Sequence, residues 1–247
     1  MLKVSTSTYG LKVGATQSEV CATQSEVGTT QTKVCATQRE VGTRQTKVCA
    51  TDSLVPGAVK LAAMKLSRRS DYERWKNPDS CLAWWSSRTE RIARLIPERS
   101  RVLEFGAGTR QLERLLSAGC EYVPSDLVDR GPGTVICDLN QRPLPDLTYL
   151  KANVAVFAGV LEYINELPSL VKWLSHQTQM CVASYDCVKT SPYSVRRIRE
   201  VLRRAAHGYL SYYSEQDLIA LFNACGFTCT ETLDWRDQKL FVFAKSQ

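Results

Sequence analysis

The chain has 247 residues, 44% of them hydrophobic, and a formal net charge of +7. That length holds one large domain or two small ones with a real apolar core, and the charge is too modest for a strongly basic nucleic-acid module. No apolar run is long enough to span a membrane and no N-terminal apolar h-region marks secretion, so a soluble, cytoplasmic protein without membrane insertion is expected. The ten cysteines contain no C-x-x-C pair, the closest being Cys225 and Cys229. Reduced thiols are the expectation, with neither a disulfide framework nor a bound metal.

The first stretch is a seven-residue repeat running from Gly14 to Val55, with Gly and Cys alternating at its first place. A heptad invites a coiled coil, but only Val20, Val27, Val34, Val41 and Val48 form a seam, and the partner row is threonine. Glycine in alternate units costs a helix about 1 kcal/mol each. Residues 1–63 are therefore read as a low-complexity repeat tail, disordered or weakly structured, ahead of a domain at 64–247 that opens on Met64.

From 66 to 96 the pattern predicts two helices divided at Asn77-Pro78-Asp79, with Trp75, Leu82, Trp85, Ile92 and Leu95 apolar. Val102 and Leu103 then lead to an acid, Glu104, followed by Gly106, Ala107 and Gly108 and a helical run predicted from about Thr109 to Ala118. A strand, a glycine turn and a helix start leave bare backbone N–H groups where a ligand can approach. The dinucleotide pattern G-x-G-x-x-G needs a third glycine at position 111, which is Gln111, so a nicotinamide-dependent oxidoreductase is the weaker reading. A second strand from Glu121 ends at Asp126, about 20 residues past the turn, where an acid suits a ribose; capping of a local turn is the alternative role. Thr134 to Cys137 is a third strand ending in Asp138. Asn153 to Gly159 reads as a strand buried on both faces, and Val160-Leu161-Glu162-Tyr163-Ile164 precedes a helix from about Pro168 to His176. Met180 to Tyr185 makes a fifth strand, Ser214 caps a helix to Cys225, and Phe227–Leu233 and Lys239–Ala244 pair as a hairpin. Between them, Val195, Ile198, Leu202 and Ala205 share one helical face, with Arg196, Arg197, Arg199, Arg203 and Arg204 on the others; such a basic amphipathic helix reads as a solvated face, the alternatives being a grip on an anionic substrate, a nucleic acid or a membrane surface.

Glu104-x-Gly106-x-Gly108, Asp126, Asp138 and the run Val160 to Ile164 together resemble the motif set of class I S-adenosylmethionine-dependent methyltransferases. The resemblance implies an α/β Rossmann-like fold, a mostly parallel seven-strand sheet with a C-terminal antiparallel hairpin. It implies S-adenosyl-L-methionine as cofactor, placed against Glu104, Phe105, Gly106, Gly108, Asp126, Asp138, Leu139 and Gly159. Arg110 stands where the family has a third glycine, Tyr163 where it often has histidine, and no helix is predicted between strands two and three. The leading helices would cover the cofactor through Tyr72, Trp75 or Trp84, unless these are core residues. His207, Glu162 and Tyr163 are the candidate catalytic bases, and His207, Tyr209, Tyr212 and Tyr213 the candidate acceptor contacts. The expected partner is a small or medium acceptor, with an anionic group if the arginines bind it, rather than a nucleic acid. A non-catalytic binding or scaffold module on the same fold is the rival.

Overall fold

The computed structural model describes residues 70–77, 85–190, 194 and 196–245, with the isolated positions 59, 63, 64 and 66. The chain divides into two compact units, 1–46 and 47–247, and every described residue belongs to the second. The repeat tract, Trp84 and Val195 lie outside the described residues.

Seven strands form one sheet: β1 (Arg101–Phe105), β2 (Glu121–Asp126), β3 (Val135–Ile136), β4 (Val154–Ala158), β5 (Met180–Tyr185), β6 (Phe227–Trp235) and β7 (Gln238–Lys245). Their spatial order is β3-β2-β1-β4-β5-β7-β6. The first five run parallel, and β7 is antiparallel to both β5 and β6. The predicted mostly parallel sheet with an antiparallel end is what the chain forms. Strand order reverses at β1, where the chain goes outward to β2 and β3 and then returns to β4, so the carboxyl ends of β1, β2 and β4 splay around a crevice.

The central strands are apolar on both faces because both faces are covered. Val102, Val154, Val156 and Val182 pack on one side with Ile92 and Ile96, from α2 (Ser86–Arg94) and the turn after it. Phe105, Ala155, Phe157 and Ala183 pack on the other with Leu167, Leu170, Val171 and Leu174 of α3 (Leu167–Gln177), alongside Phe222 of the last helix. A five-residue helix, α1 (Tyr72–Lys76), precedes them. The last helix, α5 (Glu215–Asn223), begins in a reciprocal cap: the Ser214 hydroxyl accepts from the Asp217 N–H while the Asp217 carboxylate accepts from the Ser214 N–H. That start agrees with the sequence reading.

Two expectations are corrected. The helix predicted after the glycine turn is only a 3-10 turn, Leu112–Arg114. Arg110 adopts a left-handed backbone with φ of 55°, and that conformation cannot enter a right-handed helix. The second correction concerns α4 (Arg196–Ala206), which is rotated against its pattern. Arg204 is 0% exposed while Ile198 is 65% exposed. The Arg204 guanidinium donates to the carbonyls of Asp186 at 2.5 Å and Ser211 at 3.1 Å and pairs with the Asp186 carboxylate at 3.5 Å. It also lies within 5.1–5.8 Å of the ring centres of Tyr209, Tyr212 and Tyr185. A charge held by so many partners fixes the helix rotation at the cost of exposing an aliphatic stripe.

This inverts the usual ranking of substitutions. Arg204→Ala removes the buried one of the two guanidinium groups on the Asp186 carboxylate, leaving Arg203 at 3.0 Å, and takes the donor from the buried carbonyls of Asp186 and Ser211, so it is expected to lower stability by about 3–5 kcal/mol. Ile198→Ala is expected to change it by less than about 0.5 kcal/mol. Urea unfolding of the two variants checks the order, and equal effects would put Ile198 in the core after all.

Candidate active site

A cavity of about 480 Å3 occupies the crevice at the carboxyl ends of β1, β2 and β4, roofed by Trp75 and Trp85 from the leading helices. Its floor is the turn after β1. Gly106 and Gly108 have φ of 69° and 51°, and Gly159, at the end of β4, has 72°. Glycine is required there on two counts. The left-handed backbone disfavours any side chain, and a Cβ at Gly106 would lie 2.6 Å from Val160, one at Gly159 2.4 Å from Arg88. Arg110, in the place of a third glycine, turns away: its guanidinium pairs with Glu113 at 2.9 Å, donates to the Pro132 carbonyl at 3.0 Å and lies over the Tyr122 ring. It does not line the cavity.

An acid stands at or just past the end of each of the first three strands, and each is treated differently. Glu104 is buried in the cavity wall and accepts a 2.5 Å hydrogen bond from the Tyr122 hydroxyl. Burial pushes its carboxyl up to about 8, against the downward pull of that hydrogen bond and of Arg88, so it is largely neutral at pH 7. Asp126 lines the cavity with its carboxylate clasped: it accepts from the N–H groups of Gly108 at 2.9 Å and Leu127 at 2.7 Å and pairs with Arg130 at 3.0 Å. Arg130 in turn donates to the Trp75 carbonyl, tying the roof to the floor. Asp138 is outside the cavity wall. Its carboxylate accepts from the Ser70 hydroxyl at 2.6 Å and the Asn140 N–H at 2.9 Å, leaving Cys137, Leu139 and Asn140 as the lining on that side.

The candidate bases are not gathered in one place. Tyr163 lines the cavity, edge-on to Trp75 at 4.8 Å and to Tyr209 at 5.3 Å, and burial pushes its phenol up to about 12. Glu162 points behind the wall, fully buried. It accepts from the Asp186 N–H at 2.9 Å and from Gln238 at 3.1 Å, and desolvation raises its pKa. His207 is exposed, its Nδ1 2.7 Å from the Arg203 carbonyl oxygen, and it does not reach the cavity. Tyr209, Tyr212 and Tyr213 do not line it either; Tyr209 backs Tyr163.

Two arginines escaped the sequence reading. Arg88 is buried in the cavity wall, donating to the Ala158 carbonyl at 2.9 Å and to Gln238 at 3.1 Å, while its Nε meets no hydrogen-bond acceptor among the described residues. Desolvation lowers its pKa, opposed by the nearby Glu162. The available signal was a charge on the apolar face of α2, one turn before Ile92. Arg130 follows Asp126 by four residues in a loop, where no periodicity marks it.

The raised carboxyl of Glu104 makes stability depend on pH. Between about 4.5 and 8 the folded chain keeps a proton that the unfolded chain has lost, so stability falls as pH rises through that window. Glu104→Gln is expected to flatten the slope by up to about 1.4 kcal/mol per pH unit. Denaturant midpoints across that window test this, and an unaltered slope would make Glu104 an ordinary carboxylate.

Comparison with known proteins agrees with this geometry. A Nostoc punctiforme protein assigned as an O-methyltransferase superposes with a TM-score of 0.57 at 11% identity, over 78% of this chain and 69% of its own. A methyltransferase of calicheamicin biosynthesis in its SAH-bound form gives 0.52 at 14% identity, over 78% and 69%. Human N-acetylserotonin methyltransferase in complex with SAM gives 0.54 at 12%, over 80% and 66%. Curated protein sequences yield no match. At such identities the likeness establishes the fold, and the family is established by sequence: the methyltransferase domain profile matches residues 81–232, well over half of the chain, which therefore belongs to the methyltransferase domain family.

Proposed function

We propose that this chain transfers the sulfonium methyl group of S-adenosylmethionine to a small or medium-sized acceptor, and that the 480 Å3 cavity takes the reacting parts of both. The observation that carries the reading is the glycine floor, where Gly106, Gly108 and Gly159 line the cavity in left-handed backbone and let a ligand approach the main chain with no side chain between. The lining supports the same cofactor by its chemistry. Arg88 offers a buried guanidinium with an unengaged Nε to a carboxylate. Asp126 with the Gly108 backbone suits ribose hydroxyls, and Leu139 with Cys137 gives an apolar slot for a ring. Glu104 and Phe105 close β1 beside that floor.

When bound, the cofactor supplies an electrophilic methyl; the chain's own residues supply position and dryness. Trp75, Trp85 and Tyr163 exclude water over the cavity, and a methyl acceptor held in line needs no strong base if its nucleophile is already deprotonated or neutral with a lone pair. Glu162 and His207 lie outside the cavity lining, and the neutral phenol of Tyr163 is a wall and a hydrogen-bond donor. Arg196, Arg199 and Arg203 do not line the cavity, so an anionic group on the acceptor would answer to Arg114 at its mouth. We also propose 64–247 as the folding domain, because every cavity-lining residue lies at or after Met64.

Calorimetry is expected to show one equivalent of S-adenosylmethionine or S-adenosylhomocysteine bound and no NAD. Asp126→Ala is expected to weaken that binding by about 1.5–3 kcal/mol, the scale of hydrogen bonds to a charged group; an unchanged affinity would leave Asp126 as a clasp for Gly108 and Arg130 alone. Labelled S-adenosylmethionine incubated with fractionated cell extract then identifies the acceptor, and a protein that binds the cofactor yet labels no fraction argues for a non-catalytic module. The chain begun at Met64 should melt cooperatively, which circular dichroism checks; a failure to fold moves the domain boundary upstream.

A further inference from the structure

The outward face of α4 has no part in the cavity. Ile198, Val201 and Leu202 are 65%, 38% and 42% exposed and, three and four residues apart, form one stripe. Arg196 and Arg199, also exposed, run along one border of it, with Arg203 beside them half-exposed and paired with the Asp186 carboxylate at 3.0 Å. The only acid of the helix, Glu200, is turned away from this face, accepting from the N–H groups of Lys189 at 3.0 Å and Thr190 at 3.2 Å and pairing with Arg197 at 3.9 Å. The buried Arg204 holds that rotation. What faces solvent is therefore aliphatic and cationic.

We propose that α4 is a peripheral docking surface for an anionic lipid bilayer, lying in the headgroup plane with its aliphatic stripe toward the acyl chains and its arginines against lipid phosphates. Charge complementarity chooses the occupant, since the face presents guanidinium groups and no carboxylate of its own. Shape favours lipid over protein: one convex helix of 11 residues offers far less than the roughly 1,200 Å2 of a stable protein interface. An interfacial helix needs only a few aliphatic side chains set into the headgroup boundary, with each basic residue adding about fivefold to partition. The helix is also far short of the roughly 20 residues of a membrane span. Its carboxyl end touches the roof of the cavity, where Arg74 donates to the His207 carbonyl at 2.7 Å and the next residue, Trp75, lines the cavity. Docking there would set the bilayer beside the element that covers the site.

The test is sedimentation of the full chain with vesicles of equimolar phosphatidylglycerol and phosphatidylcholine, against vesicles of phosphatidylcholine alone, and needs no methyl acceptor. Binding to the anionic vesicles alone, falling with added salt, is expected. Arg196→Gln combined with Arg199→Gln should lower the partition about 25-fold. Ile198→Ser combined with Leu202→Ser should lower it at least about tenfold, and because all four side chains are exposed, neither pair should shift the melting temperature. No binding to anionic vesicles, equal binding to both kinds, or wild-type binding by the serine variant would each overturn the proposal.

Discussion

A charge taken out of water has to find partners, and the carboxyl end of this sheet is organised around six that, among the described residues, have been taken out: Arg88, Glu104, Asp126, Glu162, Asp186 and Arg204. Four of them form a chain of contacts with one amide in the middle. Arg88 holds Gln238, Gln238 holds Glu162, Glu162 holds the Asp186 backbone, and Asp186 holds Arg204. This run crosses from α2 through β7 and the ends of β4 and β5 to α4. Each link ties one element to the next, and Arg203 backs the last of them at 3.0 Å from Asp186, so the cavity wall, the sheet end and the surface helix are held in one arrangement.

The other two serve the cavity directly, and they solve the same problem in opposite ways. Glu104 gives up its charge, because burial outweighs the Tyr122 hydrogen bond and distant Arg88. Asp126 instead meets Arg130 and two backbone N–H groups. The cavity thus presents one neutral acid and one clasped carboxylate rather than two bare anions, which suits a ligand carrying both hydroxyls and charge. Arg110 shows why a departure from a glycine motif need not close the site. Its backbone takes the left-handed conformation a glycine would supply, and its side chain leaves by the far side of β2.

Strand identity and direction were legible in the sequence because a strand covered on both faces needs an unbroken apolar run, as in Val154 to Ala158 and Met180 to Tyr185. The Ser214 cap, the glycine turn and the acids at the strand ends were legible for the same local reason: each depends on residue types a few positions apart. The missing helix after β1 was not, since its pattern was helical, while the left-handed backbone of Arg110 breaks its predicted first turn and only a 3-10 turn follows.

What the sequence determined by itself, then, was the order of strands and turns and the family that order belongs to, since these follow from short-range pattern. Tertiary structure alone decided which charges go inside. Nothing local distinguishes Arg204, sealed between Asp186 and three tyrosines, from Arg203 beside it, or marks Arg88 as a cavity residue; nor does it tell Glu162, sealed behind the wall, from Tyr163 within it. Their positions are set by partners 18 to 150 residues away along the chain, and the balance between desolvation and pairing that fixes each charge exists only once those partners have met.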